Sequence, residues 1–259
     1  MTRLALFGGV YSNHRALAAT LEDARRAGAD ATWCLGDLGG FGPHPDRAAA
    51  LLRDAGIPMV RGNYDESVGH GRADCGCGYL DPRDAHFAQI AYDYTLARTS
   101  EAHRAWMRTL PTSARLEAGG RRVLLCHGSP RRVNEFLWES ACSDAFLSWL
   151  CEAHHADVIA CTHTGLPWHR ALPGGRHVVN VGAIGRPAHD GRTTVRYALL
   201  EIGASFEVAF REVAYDHEAT AREIEAEGLP AEFAETLRTG WWTTCLENLP
   251  AKERRRGPH

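Results

Sequence analysis

Leu35-Gly36-Asp37-Leu38-Gly39-Gly40-Phe41-Gly42-Pro43 and Val60-Arg61-Gly62-Asn63-Tyr64-Asp65 are the two stretches that decide the fold of this chain. In each, an apolar run stops at a glycine and passes straight to a side chain able to bind a metal or cap a turn. Upstream, Leu4-Ala5-Leu6-Phe7 reads as a buried strand closed by Gly8-Gly9. Residues 13–27 read as a helix, with Leu17, Leu21 and Ala24 at helical spacing and Gly28 as its stop. A second strand at 31–35, a second helix at 46–55 and a third strand at 58–60 follow. This βαβαβ rhythm predicts parallel strands with right-handed crossovers. It also gathers the polar residues after each strand at one sheet edge, where α/β proteins place their ligand sites.

Downstream the pattern is mixed. Residues 66–85 are rich in Gly, Asp and Cys and read as loop, while 82–110 are helical, a lid or cap, with Phe87, Ile90, Ala91, Tyr94 and Leu96 apolar. Strands return at 122–126, ending at His127, and at 157–161, ending near His163. The 169–213 region alternates and turns at Pro173-Gly174-Gly175, which predicts antiparallel strands around 177–182, 194–201 and 206–213. Residues 217–237 read as an exposed helical tail and 252–256 as a basic fray. No repeat or linker divides the chain. The expectation is one domain over 1–259, with a helical insert at about 80–112 and an exposed C-terminal helical tail at about 216–259.

Composition removes several classes. The 259 residues are 44% hydrophobic and 24% charged, ordinary for a globular protein, which excludes disorder, collagen and coiled coil. Twenty-nine basic against 32 acidic residues argue against a nucleic-acid binder driven by bulk charge. No apolar run is long enough to span a membrane. The N-terminal run turns polar at Ser12-Asn13-His14-Arg15, too soon for a signal peptide, so a cytoplasmic location is expected. Eight scattered cysteines read as reduced core residues. Cys75-Gly76-Cys77 fits neither a zinc knuckle nor a redox pair, so neither metal nor disulfide duty is assigned to it, and its role stays open.

Four strand ends carry metal-ligand types: Asp37 in Gly-Asp-Leu, Asn63 in Gly-Asn-Tyr-Asp, His127 in His-Gly-Ser-Pro and His163 in Thr-His-Thr. Two oxygens and two nitrogens suit one divalent transition ion: Mn, Fe, Zn, Co or Ni. Singly, each residue has an ordinary structural reading, as a turn or cap for the Asp and as a satisfied core residue for the His. The ordered set carries the inference.

That set resembles the metallophosphoesterase superfamily, the calcineurin-like phosphoesterases, and in particular their small bacterial phosphodiesterase-like branch. The family pattern runs Asp-x-His, Gly-Asp, Gly-Asn-His-Asp or similar, His, then Gly-His-x-His. Here 35–43, 60–65, Cys126-His127-Gly128-Ser129-Pro130 and 180–187 (Asn-Val-Gly-Ala-Ile-Gly-Arg-Pro) match in order and spacing. The resemblance covers roughly residues 3–215. It implies a four-layer α/β/β/α sandwich with two central sheets, metals at the strand ends and phosphoester hydrolysis.

The chain departs from the pattern in a consistent way. Gly9-Val10-Tyr11 stands where the family has Asp-x-His, and Thr162-His163-Thr164-Gly165 where it has Gly-His-x-His. In the family those lost ligands hold one of two metals, while Asp37 would bridge and Asn63, His127 and His163 would hold the other. The resemblance therefore implies one complete ion site and one emptied site. A single dication can polarise an oxygen or acidify bound water, but cannot provide a two-metal clamp. Tyr64 replaces the family's acid His and, with the phenol of Tyr11, is a candidate catalytic group. Substrate packing is the alternative for Tyr64, because an ordinary phenol pKa of about 10 makes a weak acid. Arg186 and Arg131 are candidates for an anionic substrate, with Arg132 behind them and solvated loop charge as the alternative. Trp241-Trp242 and the apolar insert read as core or lid, with a homo-oligomer interface as the other possibility.

Three functions fit. The first is a single-ion phosphoesterase acting on a small phosphorylated metabolite or nucleotide, with no nucleic-acid or membrane partner. The second is a metalloenzyme that kept the fold for elimination, isomerisation or non-phosphate hydrolysis. The third is a ligand-binding pseudoenzyme, disfavoured because a structural protein has no need of an open ion site.

Overall fold

The computed structural model describes residues 1–255. In chain order the strands are β1 (Thr2–Phe7), β2 (Ala31–Cys34), β3 (Ser113–Ala118), β4 (Arg121–Cys126), β5 (Val158–Cys161), β6 (Pro167–Leu172), β7 (Arg176–Val181), β8 (Val195–Ile202) and β9 (Phe206–Val213). The helices are α1 (His14–Arg26), α2 (Pro45–Asp54), α3 (Asn63–His70), α4 (Pro82–Arg98), α5 (Glu101–Thr109), α6 (Asp144–Ala153), α7 (His217–Ala226), α8 (Ala231–Thr239) and α9 (Ala251–Arg254). One sheet has the order β2-β1-β8-β9 and the other β3-β4-β5-β7-β6.

The central strands β1, β4 and β5 are apolar without alternation over their buried residues because both of their faces are covered. Along β1, Leu4 and Leu6 enter a core between the two sheets, opposite Val123, Leu125, Val158, Ala160 and Val179. Ala5 and Phe7 face the other way, onto Ala16, Leu17, Ala48 and Leu52 of α1 and α2. In the second sheet Leu124, Cys126 and Ile159 turn outward onto Leu147, Leu150 and Cys151 of α6. These are the four layers. β1 and β2 run parallel, as do β4, β5 and β7, so their C-terminal ends emerge together.

Several expectations are corrected. Residues 58–60 form no strand: only Met59 bridges to Cys34, because three residues between a turn and a glycine cannot build a ladder. The start of the supposed loop at 66–85 is helix α3, capped when Asp65 at its third position accepts the Gly62 N–H. The 169–213 region is not uniformly antiparallel, since β7 pairs parallel with β5 and antiparallel with β6. The insert is two helices, broken at Thr99-Ser100. Cys75 and Cys77 are joined by a disulfide, where no such pairing was expected.

The tail is not exposed. Ala221, Ile224, Phe233, Ala234 and Leu237 are buried against Tyr11, Phe41 and Ala91, at the end of the sheets where the motif loops lie. The basic segment begins on α9, whose Glu253 is buried and accepts the Ser140 N–H at 2.8 Å. Arg256 lies outside the described residues. No helix among the described residues is long and apolar enough to cross a membrane.

Candidate metal centre

The Asp37 loop is built around Asp65. After β2 the chain turns through Gly36 into Asp37, whose backbone is left-handed at φ 60°. This conformation costs a non-glycine residue about 1–2 kcal/mol, so surrounding contacts must hold it. The Asp65 carboxylate supplies them, accepting N–H groups from Asp37 at 2.8 Å, Leu38 at 3.0 Å and Gly62 at 2.8 Å. Burial, then the charge of Asp37, push its carboxyl up to about 6 against the pull of those donors. The Tyr64 N–H, at the start of α3, donates to Asp37 Oδ1 at 3.0 Å. Gly62 allows this approach, since a Cβ there would lie 2.2 Å from that same oxygen. The sequence signal for this role is the place of Asp65 three residues after Gly62, at the start of a helix.

His127 leaves β4 with Nδ1 at 2.7 Å from the Leu35 carbonyl. A carbonyl only accepts, so Nδ1 carries the proton and Nε2 is left to the cluster. Nε2 lies 3.2 Å from Asp37 Oδ2 and 3.2 Å from His163 Nδ1. His163 leaves β5 in a left-handed conformation, φ 65°, with its ring 4.2 Å from that of Phe136. Burial, then the neighbouring His127, push its pKa down to about 3, so it is a neutral imidazole. Asn63 donates Nδ2 to the Cys75 carbonyl at 2.9 Å and to Cys77 Sγ at 3.4 Å. Its Oδ1 is buried without a hydrogen-bond partner among the described residues.

Asp37, His127 and His163 each bring one ligand atom within 4.8 Å of the others, all three buried. Lone pairs of a carboxylate and two imidazoles thus converge, and Asn63, with its orphaned amide oxygen, directly follows the Gly62 that packs on Asp37 Oδ1. Such a set is electrostatically incomplete and fits a divalent ion.

The other expected site residues fare differently. The Tyr64 phenol donates to the Ala88 carbonyl at 3.3 Å, and burial, then the charge of Asp37, hold its pKa well above the usual value. Such a phenol is a poor general acid, and its ring packs beside Tyr92. Arg131 pairs with Glu135 at 3.4 Å and lies over the rings of Phe146 and Trp149, and with Arg132 it lines a cavity of about 320 Å³ that His127 also borders. Tyr11 is at the site. Its ring fills the space beside Gly9, where a Cβ would lie 3.0 Å from the phenol oxygen. Arg186 and Trp242 fill the space beside Gly165, whose Cβ would meet them at 3.4 Å and 3.0 Å.

A family model for the calcineurin-like phosphoesterase superfamily domain matches residues 3–205. An uncharacterized protein of Methanocaldococcus jannaschii is 25% identical over 253 residues, 92% of this chain and 98% of its own length. The crystal structure of a metallophosphoesterase from Sphaerobacter thermophilus is 28% identical, with TM-score 0.69, covering 92% of this chain and 99% of that one. The fold is also that of a hypothetical protein from Pyrococcus horikoshii OT3, at TM-score 0.78 and 20% identity over 94% of this chain and all of that one. The chain belongs to the calcineurin-like phosphoesterase superfamily and is a hydrolase of the metallophosphoesterase type.

Proposed function

From that membership we propose a phosphoesterase that works with one divalent transition ion on a small phosphorylated metabolite or nucleotide. Asp37, Asn63, His127 and His163 would hold the ion. The observation that carries this reading is the convergence of the Asp37, His127 and His163 ligand atoms, with the buried Asn63 Oδ1 left unpartnered among the described residues. The ion supplies Lewis acidity and a more acidic bound water. The chain's own residues do the positioning. Leu35 fixes the His127 tautomer, Asp65 holds the Asp37 loop, and Phe136 packs against His163 to limit water.

One observation favours a second reading, a metalloenzyme of the same fold with different chemistry. The Tyr64 hydroxyl is committed to Ala88, so the residue replacing the family's acid is not free to protonate a leaving group. Metal-reconstituted protein should be assayed on phosphomonoesters, phosphodiesters and nucleotides beside His163→Ala. Turnover that requires the ion and disappears in His163→Ala supports phosphoester hydrolysis. Full metal occupancy without turnover of any of the three classes refutes it in favour of the second reading.

A further inference from the structure

Arg186 is a buried cation that pairs with no acceptor among the described residues. The residue is 5% exposed, and its Nε has no hydrogen-bond acceptor among the described residues. No described carboxylate pairs with the guanidinium, in contrast to Arg122, Arg211 and Arg238, which all sit on carboxylates. Three aromatic rings surround it instead: Trp242 with its centroid 3.4 Å from Cζ, Phe41 at 4.9 Å and Tyr11 at 5.6 Å. Cation–π contact offsets part of the desolvation. It leaves the buried Nε–H without an acceptor, and an unfilled buried donor on a charged group is costly. An anion would fill that donor and balance the charge.

The guanidinium is held by the loops that hold the ligand cluster. Gly185 donates its N–H to the Gly9 carbonyl at 2.8 Å, and Tyr11 donates its N–H to the Asp37 carbonyl at 3.2 Å. Nη2 lies 3.4 Å from the point where a Gly165 side chain would begin, two residues beyond His163. Tyr11 lies within electrostatic reach of both groups. Burial, chiefly, holds its phenol above the usual range, with Arg186 pulling down and Asp37 pushing up. Arg186 and Tyr11 thus occupy the volume around the two glycines that stand where the family's ligands would be.

We propose that Arg186 is the second cation of this site, a fixed guanidinium that receives the non-bridging oxygens of the substrate's phosphoryl group in place of a second metal ion. The proposal rests on the single-ion reading above for the identity of its neighbour, though not for its own anion. A guanidinium fork matches two phosphoryl oxygens, and stacking against Trp242 fixes its plane, leaving its edge for hydrogen bonding. Unlike an ion, it cannot be lost to a chelator.

Inorganic phosphate is the probe, titrated calorimetrically into the full chain, metal-loaded and metal-free, with bound metal measured in parallel. Arg186→Gln should weaken phosphate binding about 10- to 100-fold while metal content stays at the wild-type level. Arg186→Lys, which keeps the charge but loses the fork, should fall between. Phosphate affinity within twofold of wild type in folded, metal-loaded Arg186→Gln overturns the proposal. If wild type binds no metal, the single-ion reading fails alone. The metal-free titrations of wild type and Arg186→Lys then judge Arg186 by themselves, with weaker binding in the variant supporting it and equal binding refuting it. Should Arg186→Gln not fold, tungstate soaked into wild-type crystals decides. An oxyanion hydrogen-bonded to Arg186 supports the assignment, and one bound only elsewhere refutes it.

Discussion

Nε2 of His127 lies 3.2 Å from Oδ2 of Asp37, and the other ring nitrogen is already committed to Leu35. Burial disfavours charge on both residues. Facing each other, they overcome it: Asp37 is held below and His127 above its ordinary range. Each thus favours the charged form of the other, the polarity that a metal cation between them would reinforce.

An entering ion competes with protons for the lone pairs of Asp37 and His127. Metal loading should therefore release protons and weaken as pH falls. Elemental analysis should find close to one transition-metal ion per chain, and His127→Ala should lose it while remaining folded. Two tightly held ions per chain would contradict the single site.

Asp65 should prove as necessary as the ligands it positions. Asp65→Ala leaves three buried N–H groups without an acceptor, for a loss of about 3 kcal/mol or more in urea unfolding. Metal affinity should fall with it, and Asp65→Asn, which keeps one oxygen, should lie between. A folded Asp65→Ala protein with wild-type metal affinity would remove Asp65 from this role.

Mild acid should destabilise the protein through buried histidines, against the opposing carboxyl of Asp65. His189 accepts the Trp242 N–H at 2.8 Å, and burial followed by Arg186 push its pKa down to about 4. His177, stacked 3.9 Å from Phe206, is also lowered to about 4, chiefly by burial. Unfolded histidine titrates near 6.5, so between about 6.5 and 4 the unfolded chain binds more protons. Their stabilising contribution is complete above that window and lost as pH falls through it. Thermal melts between pH 4 and 7 should show a falling Tm, and His189→Asn should flatten the slope.

Restoring the family's missing side chains should not restore its second ion. Gly9 has φ 53° and Gly165 φ 74°, conformations that cost other residues about 1–2 kcal/mol each. Ala183 and Trp242 crowd the two positions at 2.8 Å and 3.0 Å. The triple variant Gly9→Asp, Tyr11→His, Gly165→His should be destabilised and still bind one ion per chain. A stable triple variant with two ions would show that the loops yield more readily than this packing implies.

What the sequence disclosed follows from how locally each feature is encoded. Residues 4–7, 123–126 and 158–161 are apolar at every position because both faces of each strand are buried, and the four cluster residues come directly after strands or turns. The edge strand Ser113–Ala118 gave no such signal, for its residues are mostly exposed or half-buried and one face meets water. Tyr64 could not be told from an acid without knowing that Ala88 lies within reach. The tail reads as helical and exposed, and only the distant Tyr11 and Phe41 reveal that one of its faces is covered. Arg186 is hardest to read, since its cage draws on residues 11, 41 and 242.

The indole of Trp242 is pinned in place, with Nε1–H on the Pro187 carbonyl at 2.7 Å, its own backbone on His189 and its face against Arg186. A full positive charge so near a ring shifts the energies of its electronic transitions. With the ring unable to turn, the local field is the main quantity left to vary. An anion settling on the guanidinium cancels much of that field, and its departure restores it. One tryptophan of the seven therefore carries an optical record of charge balance at the site, readable in emission wavelength without any attached dye.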